Sequence, residues 1–325
     1  MIGVLAHNYC MRPYLLICLI TLLLAACSTQ PAPSSVAPTQ VRGTSPSAPE
    51  PPQTASPTAE ITSTIPTPTP SATFTPTQTP NPTRLACWSQ PGDKVQGSLS
   101  TDLLRLPLEY TVLLPPCYHQ SPERRYPVLY LIHGQNYNHD QWDRLGADEA
   151  ADGLIASGEV TPFLIILPRD RSWAQPDEDN FGRVVAEELI PEIDAQYRTL
   201  AERRYRAVGG LSRGAGWAVH LGLSRWQLFG AIGGHSLPVF WGDTPHIRSW
   251  LDAIPGEAMP RIYLDIGEND RPSIMESAVW FENLLSEKGI PHEWHLYPGY
   301  HEEAYWESHV EEYLRWYADG WKVER

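Results

Sequence analysis

Two short runs of uninterrupted apolar residues constrain the fold of this chain more than any other feature. They lie at residues 127–133 (PVLYLIH) and 162–168 (PFLIILP). A strand covered on both faces has no solvent side, so it does not alternate apolar with polar residues, and this is the pattern of strands inside a parallel sheet. The two runs therefore predict interior strands of such a sheet.

Strand and helix patterns alternate along the remaining chain after residue 85. Residues 108–115 alternate as a half-covered antiparallel strand does. Further strands are predicted at 207–211, 228–232, 261–266 and 292–297, and helices at 147–156, 182–197, 214–223, 273–288 and 301–320. Repeated β-α-β units behind an antiparallel start predict an α/β fold, a three-layer α/β/α sandwich with a mostly parallel sheet.

Composition divides the chain into three regions. Residues 1–26 carry a single charge, Arg12, before an apolar run that is shorter than the ~20 residues a membrane span needs, which is typical of a signal peptide. Pro, Thr and Ser make up 36 of the 58 residues at 27–84, which predicts a disordered tether. Residues 85–325 hold all 12 Trp and are long enough for one globular domain.

The five cysteines indicate an extracytoplasmic protein. Residues 24–27 (LAAC) resemble the lipobox of bacterial lipoproteins, which implies lipid attachment at Cys27 and a place in the cell envelope. An ordinary signal peptide with an incidental cysteine is the alternative. Once the signal peptide is cleaved and Cys27 is acylated, Cys87 and Cys117 remain as a pair. We predict a disulfide between them, with two unpaired buried thiols as the alternative. Neither lies in a CxxC motif, so zinc and thioredoxin-like sites have no support.

The net charge of −14 bears on possible partners. An acidic surface repels phosphate, and the chain has no basic stripe that would release counterions. Nucleic acid is therefore not an expected partner. Oligomeric state is not determined by the sequence.

Residues 210–214 (GLSRG) match the pattern G-x-S-x-G between a predicted strand and a predicted helix. This strand-turn-helix context is that of a nucleophile elbow, in which flanking glycines allow close backbone packing around an exposed serine. Ser212 is therefore the candidate nucleophile. The alternative is a glycine-rich turn with an idle serine.

A serine needs a base, and the base needs a carboxylate that orients it. In an elbow fold these follow the nucleophile in the order acid, then His. His301 comes after the strand at 292–297 and opens the predicted last helix, so it is the candidate base. Asp270 is the candidate acid, while Glu268 and Asp265 near the same strand end remain open.

The negative charge that forms on the substrate oxygen needs two backbone N–H donors. We expect one from Arg213, directly after the nucleophile, and the other from Gln135, in the loop after the strand that ends at His133. His133 as a metal ligand or rival base is a weaker alternative, because no HExxH motif or second ligand accompanies it. No metal and no cofactor are expected.

Together these segments resemble an esterase branch of the α/β hydrolases, which includes esterase D, feruloyl, acetylxylan and enterochelin esterases and mycolyltransferases. The resemblance rests on residues 110–118, 126–134, 209–214, 267–270 and 299–301 and spans about residues 90–320. It implies a carboxylic-ester hydrolase with Ser212, Asp270 and His301 as its triad. Cys117 stands where that family commonly has Gly, which favours the disulfide.

We therefore expect a serine esterase that acts through an acyl-enzyme on an extracytoplasmic ester. Arg169, Arg171 and Trp173 follow a predicted strand and suit a carbohydrate or an aromatic acyl group, so an acylated or feruloylated carbohydrate is a candidate substrate. Two alternatives use the same fold: an acyltransferase with the same triad, and a non-catalytic binding lipoprotein.

Overall fold

The structure is a computed structural model that describes residues 86–321. The predicted signal peptide, the lipid attachment at Cys27 and the predicted tether lie outside the described residues. Within the described part of the chain, no helix has both the length and the apolarity needed to cross a membrane.

An eight-stranded sheet forms the centre of the domain. Its strands are β1 (Asp93–Leu99), β2 (Leu108–Leu114), β3 (Val128–Ile132), β4 (Leu164–Pro168), β5 (Arg206–Leu211), β6 (Ala231–His235), β7 (Arg261–Asn269) and β8 (Glu293–Tyr300). They are ordered β1-β2-β4-β3-β5-β6-β7-β8. The pairs β1–β2 and β2–β4 are antiparallel and all others are parallel. The predicted mostly parallel sheet with an antiparallel start is therefore confirmed.

Helices cover both faces of the sheet. They are α1 (Gln141–Arg144), α2 (Ala147–Ser157), α3 (Phe181–Val184), α4 (Ile190–Gln196), α5 (Arg213–Ser224), α6 (Thr244–Ala253), α7 (Pro272–Glu287) and α8 (Glu303–Asp319). One core cluster joins the sheet to α1, α2 and α8, and the other joins it to α3 through α7. Successive residues of β3 alternate between the two clusters, since Leu129 and Leu131 lie in the first and Tyr130 and Ile132 in the second. This double cover explains the uninterrupted apolar run and confirms the three-layer prediction.

The helix predicted at 182–197 is interrupted by a π-helical turn at Val185–Leu189, between α3 and α4. Pro191 lies in the first turn of α4 and has no N–H to continue the regular hydrogen-bond ladder, so the ladder is broken there. The valine, leucine and isoleucine residues of this segment are nevertheless all buried, namely Val184, Val185, Leu189, Ile190 and Ile193.

Other local expectations also differ from the structure. Strand β2 is buried on both faces rather than half-covered, because Val112 packs in the core cluster on one face and Leu113 in the cluster on the other. Strand β6 begins at Ala231, three residues later than predicted, because Leu228 and Phe229 belong to the preceding turn, where Phe229 is buried all the same. The last helix begins at Glu303, so His301 precedes it instead of opening it.

The predicted disulfide between Cys87 and Cys117 is present, with its Cα atoms 5.1 Å apart. It joins the short helical turn Ala86–Ser89 to the segment after β2. Cys117 has a φ of 61°, a region that glycine enters more readily than other residues. The bridge thus holds a non-glycine residue in a turn conformation typical of glycine.

Replacing both Cys87 and Cys117 with Ser should lower the free energy of unfolding by about 3 to 4 kcal/mol, because the unfolded chain would lose the constraint of a closed loop. Urea denaturation followed by tryptophan fluorescence measures this. Reducing the wild type should lower its stability to that of the double variant, which reduction should leave unchanged. Equal stability of the oxidised wild type and the variant would contradict this role of the bridge.

Candidate active site

Ser212 lies in a sharp turn between β5, which ends at Leu211, and α5, which begins at Arg213. Its φ and ψ are 51° and −124°, a strained conformation for a non-glycine residue. A Cβ at Gly214 would lie 2.0 Å from the carbonyl oxygen of Ile132, and one at Gly210 would lie 2.3 Å from the backbone of Gly214. Only glycine permits these contacts, so the two glycines bring α5 against the sheet and leave Ser212 at the tip of the turn.

The structure brings Ser212, His301 and Asp270 together in one hydrogen-bonded chain. The Nε2 atom of His301 lies 2.9 Å from the Ser212 hydroxyl oxygen. Its Nδ1 atom lies 2.8 Å from Oδ1 and 3.1 Å from Oδ2 of Asp270. The Asp270 side chain is fully buried, and its Oδ1 also accepts the backbone N–H of Arg271 at 2.6 Å. This is the arrangement in which a carboxylate orients an imidazole to take a proton from serine.

The three residues reach one another because parallel strands end at the same edge of the sheet. Ser212 follows β5, Asp270 follows β7 and His301 follows β8. Both β7 and β8 extend three residues beyond their predicted ends, and a bulge in their pairing lies at Gly267 and Asn269. The longer strands bring Asp270 and His301 forward to the level of Ser212.

The other two acid candidates point elsewhere. Glu268 is exposed on β7. The Asp265 side chain is fully buried one layer below the triad, where its Oδ1 lies 2.6 Å from Nδ1 of His235. Its Oδ2 accepts the hydroxyl protons of Tyr305 at 2.6 Å and Tyr313 at 2.7 Å.

The Asp265 cluster supports the segment that carries His301. Burial raises the pKa of the Tyr305 and Tyr313 hydroxyls, so both remain protonated donors to Asp265. Tyr305 is four residues after His301, and the next residue, Trp306, packs edge-on against the His301 ring with centroids 5.0 Å apart. The Trp306 indole N–H donates to the Ser236 hydroxyl at 3.2 Å. No sequence pattern indicates this support, because Tyr305 and Tyr313 follow ordinary helix spacing.

Two backbone N–H groups beside Ser212 have no acceptor among residues 86–321, and they belong to Gln135 and Arg213. By contrast, the N–H of Ser212 itself donates to the His235 carbonyl at 2.8 Å. The position that a Cβ of Gly134 would occupy is 3.7 Å from Cβ of Ser212, so the loop before Gln135 runs beside the nucleophile. The loop that carries Gln135 and the first residue of α5, Arg213, therefore both lie next to the serine.

Asp170 is a buried residue of this edge that no sequence motif indicates. Its Oδ2 accepts Nε–H of Arg213 at 2.7 Å and the indole N–H of Trp217 at 2.8 Å. Its Oδ1 accepts the backbone N–H of Ser172 at 2.9 Å. In the sequence, Asp170 is marked only by its position two residues after the carboxyl end of β4. The polar residues of the site lie at this edge of the sheet.

A groove of about 370 Å³ opens next to Gln135. Two exposed aromatic side chains, Tyr137 and Trp173, lie along it. The guanidinium groups of Arg169 and Arg171 also line it, and both pair with Glu109, at 2.6 and 2.5 Å. Arg169, Arg171 and Trp173 thus line a surface directly beside the candidate oxyanion hole.

His133 does not face Ser212. It is buried, and both of its ring nitrogens contact backbone groups of Gly134 and Asp170. Over residues 86–321, no group of three or more His, Cys, Asp or Glu side chains is arranged to hold a metal ion.

Comparison with known proteins finds esterases among the relatives of this chain. The chain is 28% identical over 212 residues to an endo-1,4-beta-xylanase/feruloyl esterase of Xylanibacter ruminicola, covering 61% of this chain and 26% of that protein. It is 29% identical over 242 residues to an esterase of Mycobacterium tuberculosis, covering 58% and 51% respectively. The chain thus spans about a quarter and a half of the lengths of these two relatives.

Solved structures share the fold. A ferulic acid esterase superposes with a TM-score of 0.61 at 24% identity, covering 71% of this chain and 98% of that one. The feruloyl esterase module from Clostridium thermocellum, complexed with sinapinate, superposes with a TM-score of 0.62 at 17% identity, covering 74% and 94%. Residues 104–317 match the family described as "Putative esterase". With its elbow serine and mostly parallel sheet, the chain belongs to this family of the α/β-hydrolase fold.

Proposed function

We propose that the protein is a carboxylic-ester hydrolase that works through an acyl-enzyme on Ser212. The observation that carries this proposal is the continuous chain from the Ser212 hydroxyl through both nitrogens of His301 to Asp270, with contacts of 2.9 and 2.8 Å. The family and the names of the relatives support the same reaction class.

In the first half of the reaction, the Ser212 oxygen attacks the ester carbonyl carbon while Nε2 of His301 takes the hydroxyl proton. The carbonyl oxygen becomes negative and accepts the N–H groups of Gln135 and Arg213. Collapse of this intermediate breaks the bond to the alcohol oxygen, which leaves with the proton from His301, and the acyl group stays on Ser212.

In the second half, His301 removes a proton from water as the water oxygen attacks the acyl carbon. The bond to the Ser212 oxygen then breaks, the serine regains its proton from His301, and the acid is released. Asp270 accepts the Nδ1–H of His301 throughout, which fixes the tautomer and stabilises the protonated ring.

Replacing Ser212 with Ala should reduce kcat for p-nitrophenyl acetate by roughly 10⁴-fold or more, because no acyl-enzyme can form. Replacing Asp270 with Asn should reduce kcat by about 10⁴-fold, because the amide favours the wrong imidazole tautomer. A fluorophosphonate probe should label the wild type once and leave the Ser212 variant unlabelled by intact mass.

Two variants serve as matched controls. Glu268→Gln removes an exposed acid near the same strand end, and Ser249→Ala removes an exposed serine on α6. Both should retain the wild-type kcat and labelling. A Glu268 variant as inactive as the Asp270 variant would reassign the acid, and full activity without Ser212 would refute the mechanism.

We propose that the substrate is an ester of a carbohydrate and that the carbohydrate lies in the groove beside Gln135. Sugar rings present apolar faces that stack on aromatic side chains, and Tyr137 and Trp173 are two such exposed surfaces. The guanidinium groups of the groove supply hydrogen-bond donors for hydroxyl groups. The first relative joins a xylanase and a feruloyl esterase in its name, which supports this substrate class.

Replacing Trp173 with Ala should raise KM for a feruloylated oligosaccharide about threefold to tenfold, the effect of losing one stacking contact. KM for p-nitrophenyl acetate, which has no sugar, should not change. The matched control is Trp241→Ala, since Trp241 is equally exposed but does not line the groove. An equal effect on both substrates, or none on the oligosaccharide, would contradict a sugar site here.

We further propose that the domain works outside the cytoplasm, anchored by lipid at Cys27. The LAAC sequence at 24–27 and the disulfide between Cys87 and Cys117 support this location. When the cells are partitioned with detergent, the wild type should enter the detergent phase and the Cys27→Ser variant the aqueous phase. Recovery of both in the aqueous phase would refute the anchor.

A further inference from the structure

Gly134, the residue before Gln135, has contacts at both of its peptide bonds. The N–H of Gly134 donates to Oε1 of Gln141 at 2.8 Å, and the carbonyl oxygen of Gly134 lies 2.7 Å from Nδ1 of His133. Both partners are buried. Because Gly134 lies beside Ser212, the orientation of the peptide bond between Gly134 and Gln135 matters for the reaction.

The proton position on His133 follows from the contact at its other nitrogen. The backbone N–H of Asp170 points at Nε2 of His133 at 3.0 Å. A backbone N–H only donates, so Nε2 must carry a lone pair and the ring proton must be on Nδ1. The ring then donates from Nδ1 to the Gly134 carbonyl. Burial lowers the pKa of His133, which favours this neutral form.

The direction of the Gly134 carbonyl determines the direction of the next N–H. In a planar trans peptide the C=O and the following N–H point in opposite directions. The Gly134 carbonyl accepts the N–H of Tyr137 at 3.2 Å, across the turn, as well as the closer Nδ1–H of His133 at 2.7 Å. Because these contacts hold the carbonyl on one side of the peptide, the N–H of Gln135 points to the other side. That N–H is one of the two groups that flank Ser212 without an acceptor among the described residues.

We propose that neutral His133 is a positioning residue for the oxyanion hole: its Nδ1–H fixes the Gly134 carbonyl and thereby aims the N–H of Gln135 at the carbonyl oxygen of the substrate. This inference rests on the proposed esterase function. It assigns His133 neither a proton transfer nor a contact with substrate.

Asp170 links His133 to Arg213, whose backbone N–H is the second candidate donor of the oxyanion hole. Its N–H holds Nε2 of His133, while its carboxylate pairs with Arg213, the residue that supplies the other candidate N–H. Both side chains of the Asp170–Arg213 pair are more than nine-tenths buried. One buried residue thus links the two loops that must act on the same oxygen.

The tautomer is tested on the wild-type full chain by NMR correlation of the imidazole nitrogens with the ring protons. His133 should show a proton on Nδ1 and none on Nε2 at neutral pH. A proton on Nε2 would overturn the inference whether or not any variant folds or the enzyme turns over.

The positioning role is tested with two substitutions that differ in one donor. His133→Leu removes the Nδ1–H, and kcat should fall about 10- to 100-fold, less than the ~100- to 1,000-fold loss expected when an oxyanion donor is removed outright. His133→Asn keeps an N–H near the position of Nδ1, so kcat should stay within about threefold of wild type. KM should change little in either variant.

A trifluoromethyl ketone, which forms a negatively charged adduct with the active serine, reports on the oxyanion hole directly. Its inhibition constant should rise in His133→Leu by the same factor by which kcat/KM falls. The matched control is His292→Leu, since Nδ1 of His292 also lies against a backbone carbonyl, that of Ile290 at 2.8 Å, but at the opposite edge of the sheet. This control should leave kcat and inhibition unchanged.

The experiments distinguish a failure of this inference from a failure of the proposed esterase function. A wild type that does not hydrolyse esters or react with fluorophosphonate refutes the esterase function, while the NMR measurement still decides the tautomer. An active wild type with an equally active His133→Leu variant refutes the positioning role. So does a His133→Asn variant as impaired as His133→Leu, or a loss that appears only in KM.

Discussion

Helix α5 approaches the ends of β3 and β5 so closely that only glycine fits, and the position of Ser212 depends on this contact. A Cβ at Gly214 would lie 2.0 Å from the Ile132 carbonyl oxygen, and any side chain there would push the helix away from the sheet. Because α5 begins directly after Ser212, the serine takes up the sharp turn itself, at a φ of 51°. The 2.9 Å contact with His301 exists only while this packing holds.

Two buried carboxylates support the site from below, each under a different part of it. Asp265 lies under the segment of His301 and contacts His235, Tyr305 and Tyr313. Asp170 lies under the candidate oxyanion hole and accepts three N–H donors. A buried carboxylate is costly unless its oxygens are satisfied, and a satisfied one holds its donors in a single arrangement. These two carboxylates take no part in the reaction, but they hold the side chains around the site in one arrangement.

The sequence predicted most elements because their burial is visible as a pattern. The apolar runs that became β3 and β4 have no polar face, since helices cover both sides of the sheet. The same reasoning misplaced β6, because a buried residue in a turn, such as Phe229, is as apolar as a strand residue. It also placed His301 within the last helix, because apolarity does not reveal that β8 continues to Tyr300.

By itself, the sequence determined the fold class, the elbow serine and the order of acid and base along the chain, because periodicity, glycine spacing and chain order are local or one-dimensional properties. Only the tertiary structure separated Asp270 from Glu268 and Asp265, since the choice depends on which carboxylate reaches Nδ1 of His301. It also revealed the roles of His133 and Asp170, which are distant in sequence and meet only where β3 and β4 end side by side. Hydrogen bonds between such segments are set by packing, which leaves no periodic trace in the sequence.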